Sequence, residues 1–251
     1  MPSYPKPTLI STTDLLVDDV KDLNKKLLER GVAVLKLPIS KEDRNNALNS
    51  TQFYRTANAI FKDDFKITEP TLEEKLDPKR IINKAPDSSQ GWIHQYATPI
   101  HHLVQQDGVF RNAMKEIEGV DELKFMQNRL RYSRKYKLEP KTLHFDGFPF
   151  KEVNGVVKWD DKPLTAAIIG LTGIRRYCWW DIQGKNLKPI YDYWAKQKKA
   201  FTLIDPNFMN DNYPGCRRMV EVDCSEHIHI IVFLENVPHE IASSPCLSLY
   251  M

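Results

Sequence analysis

Only four cysteines occur in the 251 residues, Cys178, Cys216, Cys224 and Cys246, and no two form a Cys-x-x-Cys pair. That argues against a disulfide scaffold, a zinc ribbon or a thioredoxin-like redox motif, and predicts free thiols in a reducing compartment. Long apolar runs are missing too; none approaches the ~20 residues that span a bilayer. The opening Met-Pro-Ser-Tyr-Pro-Lys-Pro lacks the apolar core of a signal peptide. A soluble, cytoplasmic protein with no membrane partner is the expectation. Charge of one sign is scarce as well. Thirty-six Lys+Arg stand against 33 Asp+Glu, giving net +3 and a pI near 8.5, too weak a balance to demand a nucleic-acid partner. There is no internal repeat and no low-complexity tract. What is present, 41% hydrophobic and 10% aromatic residues, describes a folded chain with an ample core. The expectation is a single domain, 1–251.

Periodicity divides it. Ser11-Thr-Thr-Asp14 has capping-box character, and Leu16, Val20, Leu23 and Leu27 form one apolar stripe. Lys25, Lys26 and Arg30 suit the last turn of that helix and Gly31 its end. Ser40 opens a second helix with Leu48, Phe53, Ala57 and Ile60 inward. From 62 to about 89 the pattern dissolves into charged, Pro-containing sequence, a connector. A third helix is expected from about Pro99 to Gly119. Strand-like segments then dominate, apart from a short helix around Leu187–Lys198. Helices first and strands later predict a mostly helical support region at 1–120 and a β core at 121–251.

The residues that carry chemistry lie in that core. Met126 to Ser133 alternates like a strand, and Lys141-Thr-Leu-His144-Phe145-Asp146-Gly147 follows. Residues two apart on a strand share a face, so His144 and Asp146 can chelate one ion. Composition alone yields about one His-x-Asp/Glu by chance, so the weight falls on context. Some ninety residues later His239 follows the apolar strand Ile230–Leu234 and a turn, Glu-Asn-Val-Pro238. Two imidazoles and one carboxylate on one face of a metal leave the opposite face open.

With these residues in place, the C-terminal half, roughly 125–251, resembles the Fe(II)/2-oxoglutarate-dependent dioxygenases. In that family His-x-Asp ends an early core strand, the second histidine follows a late apolar strand, and a closing strand comes next, here Cys246–Tyr250. Gly31–Pro38 is similar to the first strand of many members. The resemblance implies an α+β fold: a double-stranded β-helix (jelly-roll) core with the N-terminal helices packed on one sheet. It also implies Fe(II) on His144, Asp146 and His239, and 2-oxoglutarate and O₂ as cosubstrates. The reaction would be hydroxylation of an unidentified substrate coupled to decarboxylation of 2-oxoglutarate to succinate. One feature departs from the family pattern. The closing strand usually carries the Arg or Lys that grips the distal carboxylate of 2-oxoglutarate, and the residues after His239 include no cation. A buried carboxylate needs a charge-assisted partner. Candidates elsewhere are Arg175 and Arg176, then Lys158, with Lys162, Arg217 and Arg218 behind them. Ser248 and Tyr250 could add hydroxyl donors.

Other patterns have plainer readings. His227 and His229 share a strand face but read as barrel and edge residues, and His101-His102 point apart on a helix. Tyr177 and Trp179-Trp180 read as barrel packing. Arg129–Lys137 interleaves basic and aromatic residues, as a single-stranded nucleic-acid groove does, though a solvated strand face is commoner. Trp92 and His94 are candidates for the site mouth. Two further functions stay open: a catalytically inactive jelly roll that binds nucleic acid or a protein, and a cupin-like barrel holding another divalent metal.

Overall fold

The computed structural model describes residues 5–37, 40, 42, 90–94, 106–122, 129–133, 137–138, 143–146, 150–159, 165–170, 174–197, 201–227, 229–234, 236–240, 242–243 and 246–250. Beyond Ser40 and Glu42, the expected second helix lies outside the described residues, as do the connector at 62–89 and His101-His102.

The chain does not form one helix from Ser11. Strand β1 (Thr8–Ile10) leads to a four-residue helix α1 (Thr12–Leu15), then strand β2 (Leu16–Val17) and helix α2 (Val20–Arg30). Ser11 caps α1, while Asp19 accepts from Asp22 N at 2.8 Å and starts α2 afresh. Between these caps Leu16 and Val17 pair in parallel with β3 (Val32–Lys36). The apolar stripe is therefore corrected at its first position. Leu16 is exposed, Leu15 and Val17 are buried instead, and Leu23 and Leu27 are buried as expected. Gly31 ends α2 with φ 72. A Cβ there would sit 2.3 Å from Val237 Cγ2. Gly31→Ala is expected to destabilise by about 2–4 kcal/mol, from left-handed strain plus overpacking. A fall in the urea midpoint at constant m value is the check.

After β4 (Gln90–His94) comes helix α3 (Gly108–Glu118), capped by Asp107, which accepts from Phe110 N at 2.8 Å; residues 99–105 of the expected 99–119 helix lie outside the described residues. Then follow β5 (Arg129–Ser133), β6 (Lys137–Leu138), β7 (His144–Asp146), β8 (Phe150–Val153), β9 (Val156–Trp159), β10 (Thr165–Gly170) and β11 (Ile174–Trp180). Asn154 and Gly155, both at positive φ, make the two-residue turn between β8 and β9. Helix α4 (Lys188–Ala195), β12 (Phe201–Leu203), helix α5 (Pro206–Asn212), β13 (Arg217–Asp223), β14 (His229–Leu234), β15 (His239–Glu240), β16 (Ala242–Ser243) and β17 (Cys246–Tyr250) complete the order. The pattern had indicated α4 but not α5, β1 or the β8–β9 hairpin.

Two main sheets result: β2-β3-β14-β10-β17-β5-β4 and β1-β13-β11-β15-β7-β12. Their pairings are antiparallel except β1–β13 and β2–β3. From β5 onward the chain repeatedly crosses between them. One core fills the space between the sheets, with Tyr177 and Val220 from the six-stranded sheet and Ile231 and Phe233 from the seven-stranded sheet. The rings of Tyr177 and Phe233 are 5.0 Å apart. Leu23 and Leu27 of α2 and Phe110 and Met114 of α3 join this core through β3 and β10. The six-stranded sheet is also covered on its other face, an addition to the expected plan. There Leu143, Phe145 and Trp180 pack on Ile190 and Trp194 of α4 and Met209 of α5. Among the described residues no helix is long and apolar enough to cross a membrane.

Candidate metal centre

Strand β7 sits inside the six-stranded sheet, between β15 and β12. Leu143 and Phe145 point to the helix-covered face and His144 to the other, as strand alternation requires. The second histidine arrives by a turn, in which Val237 N donates to Leu234 O at 3.0 Å. Trp180 N then donates to Pro238 O at 2.9 Å, and His239 falls opposite both His144 and Trp179.

Register thus brings together the three expected ligands. His144 Nε2 lies 3.6 Å from Asp146 Oδ1, and His239 Nε2 lies 3.3 Å from Asp146 Oδ2. The imidazole centroids are 4.3 Å apart, and one ligand atom from each residue falls within 4.8 Å of the others. Among the described residues this is the one such group of three. The histidines are buried, whereas the Asp146 side chain is 35% exposed, so the centre opens on the carboxylate side. His239 Nδ1 is 3.0 Å from Val237 O. A carbonyl can only accept, so Nδ1 carries the hydrogen and Nε2 presents its lone pair. Tyr177 stacks on His239 at 5.7 Å and Phe233 packs at 4.8 Å. These two rings fix the imidazole plane, a role not assigned to them from sequence.

The donor set suits an Fe(II)-type ion: borderline imidazoles plus a hard carboxylate, with the remaining positions open.

The structure separates the two arginines expected beside the site. Arg175 is 1% exposed and shares a face of β11 with Tyr177 and Trp179, the core-facing side. Arg176 is on the opposite face, bound to Glu221. Lys158 belongs to β9, which pairs with β8 apart from the main sheets. On β17, Ser248 lies in the register row of Gly170 and Tyr250 in that of Ile168. Arg217 is buried on Glu240, and Arg218 Nε approaches Asp181 at 3.9 Å. His227 and His229 stand edge to face at 6.1 Å with no third ligand in a described group. Burial lowers the His229 pKa from its ordinary value. Trp92 and His94 are placed only by the pairing of β4 with β5.

No family model matches the chain, and no curated protein sequence matches it. Solved structures do. HygX from Streptomyces hygroscopicus with nickel and 2-oxoglutarate bound is 11% identical, at TM-score 0.47, over 89% of this chain and 83% of that one. A Pseudomonas putida prolyl-4-hydroxylase is 14% identical, at TM-score 0.42, over 92% and 96%. EctD from S. alaskensis with bound Fe is 14% identical, at TM-score 0.50, over 90% and 73%. Identity this low speaks to fold alone. In fold, the chain resembles the Fe(II)/2-oxoglutarate oxygenases.

Proposed function

We propose that the protein is an Fe(II)- and 2-oxoglutarate-dependent oxygenase built on a jelly-roll core at 121–251, with 1–120 as its support, in a single domain. The observation that carries this reading is the convergence of His144, Asp146 and His239 on one point between strands remote in sequence. The crossing of β5, β7, β10, β11, β13, β14, β15 and β17 between two sheets supports the jelly-roll arrangement.

His144 and His239 would donate through imidazole nitrogen and Asp146 through carboxylate oxygen. The bound metal and 2-oxoglutarate supply O₂ activation, and the protein supplies geometry and a dry wall. Tyr177, Phe233 and Trp179 exclude water behind His239. Arg175 is the cation for the distal carboxylate of 2-oxoglutarate. It is buried and always charged, and its guanidinium can grip a carboxylate through two parallel bonds. Trp179 lies directly across from His239, so Arg175 is about 13 Å deeper along β11, at ~3.3 Å per residue. From there its guanidinium would hold the distal carboxylate of 2-oxoglutarate bound at the centre. Arg176 is held by Glu221 and does not share this role.

Anaerobic Fe(II) titration with and without 2-oxoglutarate tests the reading. A weak metal-to-ligand charge-transfer band should appear only with both. A protein that binds Fe(II) without the band, and leaves 2-oxoglutarate unconsumed in air, is not this oxygenase. The absence of a cation on β17 then favours the second reading, an inactive jelly-roll binding module.

A further inference from the structure

The side chain next to the last metal ligand is Glu240, which the proposed chemistry does not use. Strand alternation turns it to the face of β15 opposite His239. It is 1% exposed and meets Arg217, itself 3% exposed. Arg217 Nε donates to Oε1 at 2.8 Å and Nη2 to Oε2 at 2.6 Å, a two-pronged grip. The remaining nitrogen, Nη1, donates to the backbone carbonyl of Pro5. Between the two strands, Cys178 of β11 places its thiol 3.7 Å from Oε1. Burial, and then the Glu240 carboxylate, push that thiol up, so it stays protonated and donates. One carboxylate is thus held from β13 and β11, and its partner also holds the segment before β1.

Its position gives this cluster a meaning beyond stability. Strand β15 has only two residues, His239 and Glu240. It shares one register pair with β7 and two with β11. So short a ladder defines the strand's place weakly, yet the strand carries a metal ligand. Its N-terminal side is tied by Trp180 N to Pro238 O and by His239 Nδ1 to Val237 O. On the C-terminal side Ala242 and Ser243 pair with β6, outside the main sheets, and the side-chain anchor within the six-stranded sheet is Glu240. A bidentate pair fixes angle as well as distance, so it can set the pitch of the backbone that aims the imidazole.

We infer that the buried Arg217–Glu240 pair, with Cys178 and the Pro5 carbonyl, is a positioning clamp for His239 that sets the geometry and affinity of the metal centre. The inference rests on the proposed metal centre. It makes Arg217 and Glu240 positioning residues, and it couples the N-terminal segment at Pro5 to the ligand.

Co(II) is the probe, because its visible ligand-field bands report geometry without any turnover. Wild type, Glu240→Gln and Leu23→Ala are titrated with Co(II), with far-UV circular dichroism and urea unfolding on each. Leu23 is buried in α2, which packs on β3 and α3, and controls for lost stability alone. Glu240→Gln should weaken Co(II) by about 10–100-fold, as loss of a ligand's supporting shell does, and shift the visible bands. Leu23→Ala should unfold at lower urea yet bind within about twofold with unchanged bands. If Glu240→Gln does not fold, Arg217→Met/Glu240→Leu replaces it, since apolar substitutes of similar size tolerate burial. The same weakening is expected there, because the directional bonds are gone. Wild-type affinity and bands in whichever variant folds would overturn the clamp, as would equal weakening in Leu23→Ala. A wild type that takes up no Co(II) or Fe(II) would instead remove the metal centre itself, a distinguishable result.

Discussion

Asp146→Ala is expected to weaken metal binding by more than about a hundredfold, beyond the upper end of what losing an outer-sphere partner costs. Asp146 faces both imidazoles, at 3.6 and 3.3 Å, and supplies the only anionic ligand of the group. Without it a divalent ion would rest on two neutral nitrogens. The side chain is 35% exposed, so its removal leaves no cavity in the core and the apo fold should survive. Equilibrium dialysis against Fe(II) or Mn(II) measures the loss, with His227→Ala as a variant that should bind normally. Stoichiometric metal retained by a His144→Ala/His239→Ala double variant would refute the assignment.

Replacing Arg175 should separate the metal from the cosubstrate. Arg175→Met keeps most of the buried volume and removes the charge. Breaking a buried charge pair by deleting one partner costs roughly 3–5 kcal/mol, a few hundredfold to a few thousandfold in Kd. The apparent 2-oxoglutarate affinity should fall by that order while Fe(II) binding persists. Arg176→Ala removes a partly exposed partner of Glu221, and pairs of that kind contribute about 0–1 kcal/mol. It should leave 2-oxoglutarate binding nearly unchanged. The charge-transfer band, titrated with 2-oxoglutarate at fixed Fe(II), reads both. Equal affinity in wild type and Arg175→Met would move the anchor elsewhere, and Lys158 would be next.

How much of this could be read beforehand depends on the range of the physics involved. The His144/Asp146 pair was legible because a two-residue repeat on a strand is a local rule. His239 was legible because an apolar strand and a Pro turn precede it. Strand β14 announced itself by its apolar run, whereas β17 was legible only through the family resemblance. The break between α1 and α2 was missed because the stripe Leu16, Val20, Leu23, Leu27 satisfied a helix locally. Pairing of Leu16 and Val17 with β3, which overrides it, is tertiary. Arg175 and Arg176 were equivalent as sequence; only the alternation of β11 against a real core turned one inward. The Arg217–Glu240 pair left no local signal, because it depends on the lateral order β13-β11-β15.

The separation of the ligands along the chain has a consequence for folding. His144 and His239 become neighbours only when β7 and β15 meet in a single register pair. Closing so long a loop is an entropic cost met during folding, and the unfolded chain has no preformed site. An ion held there binds the native state alone. At a hundred times its Kd it would add about 2.7 kcal/mol to the stability of the whole chain. The metal would then act as a removable cross-link, and the melting temperature would track metal concentration.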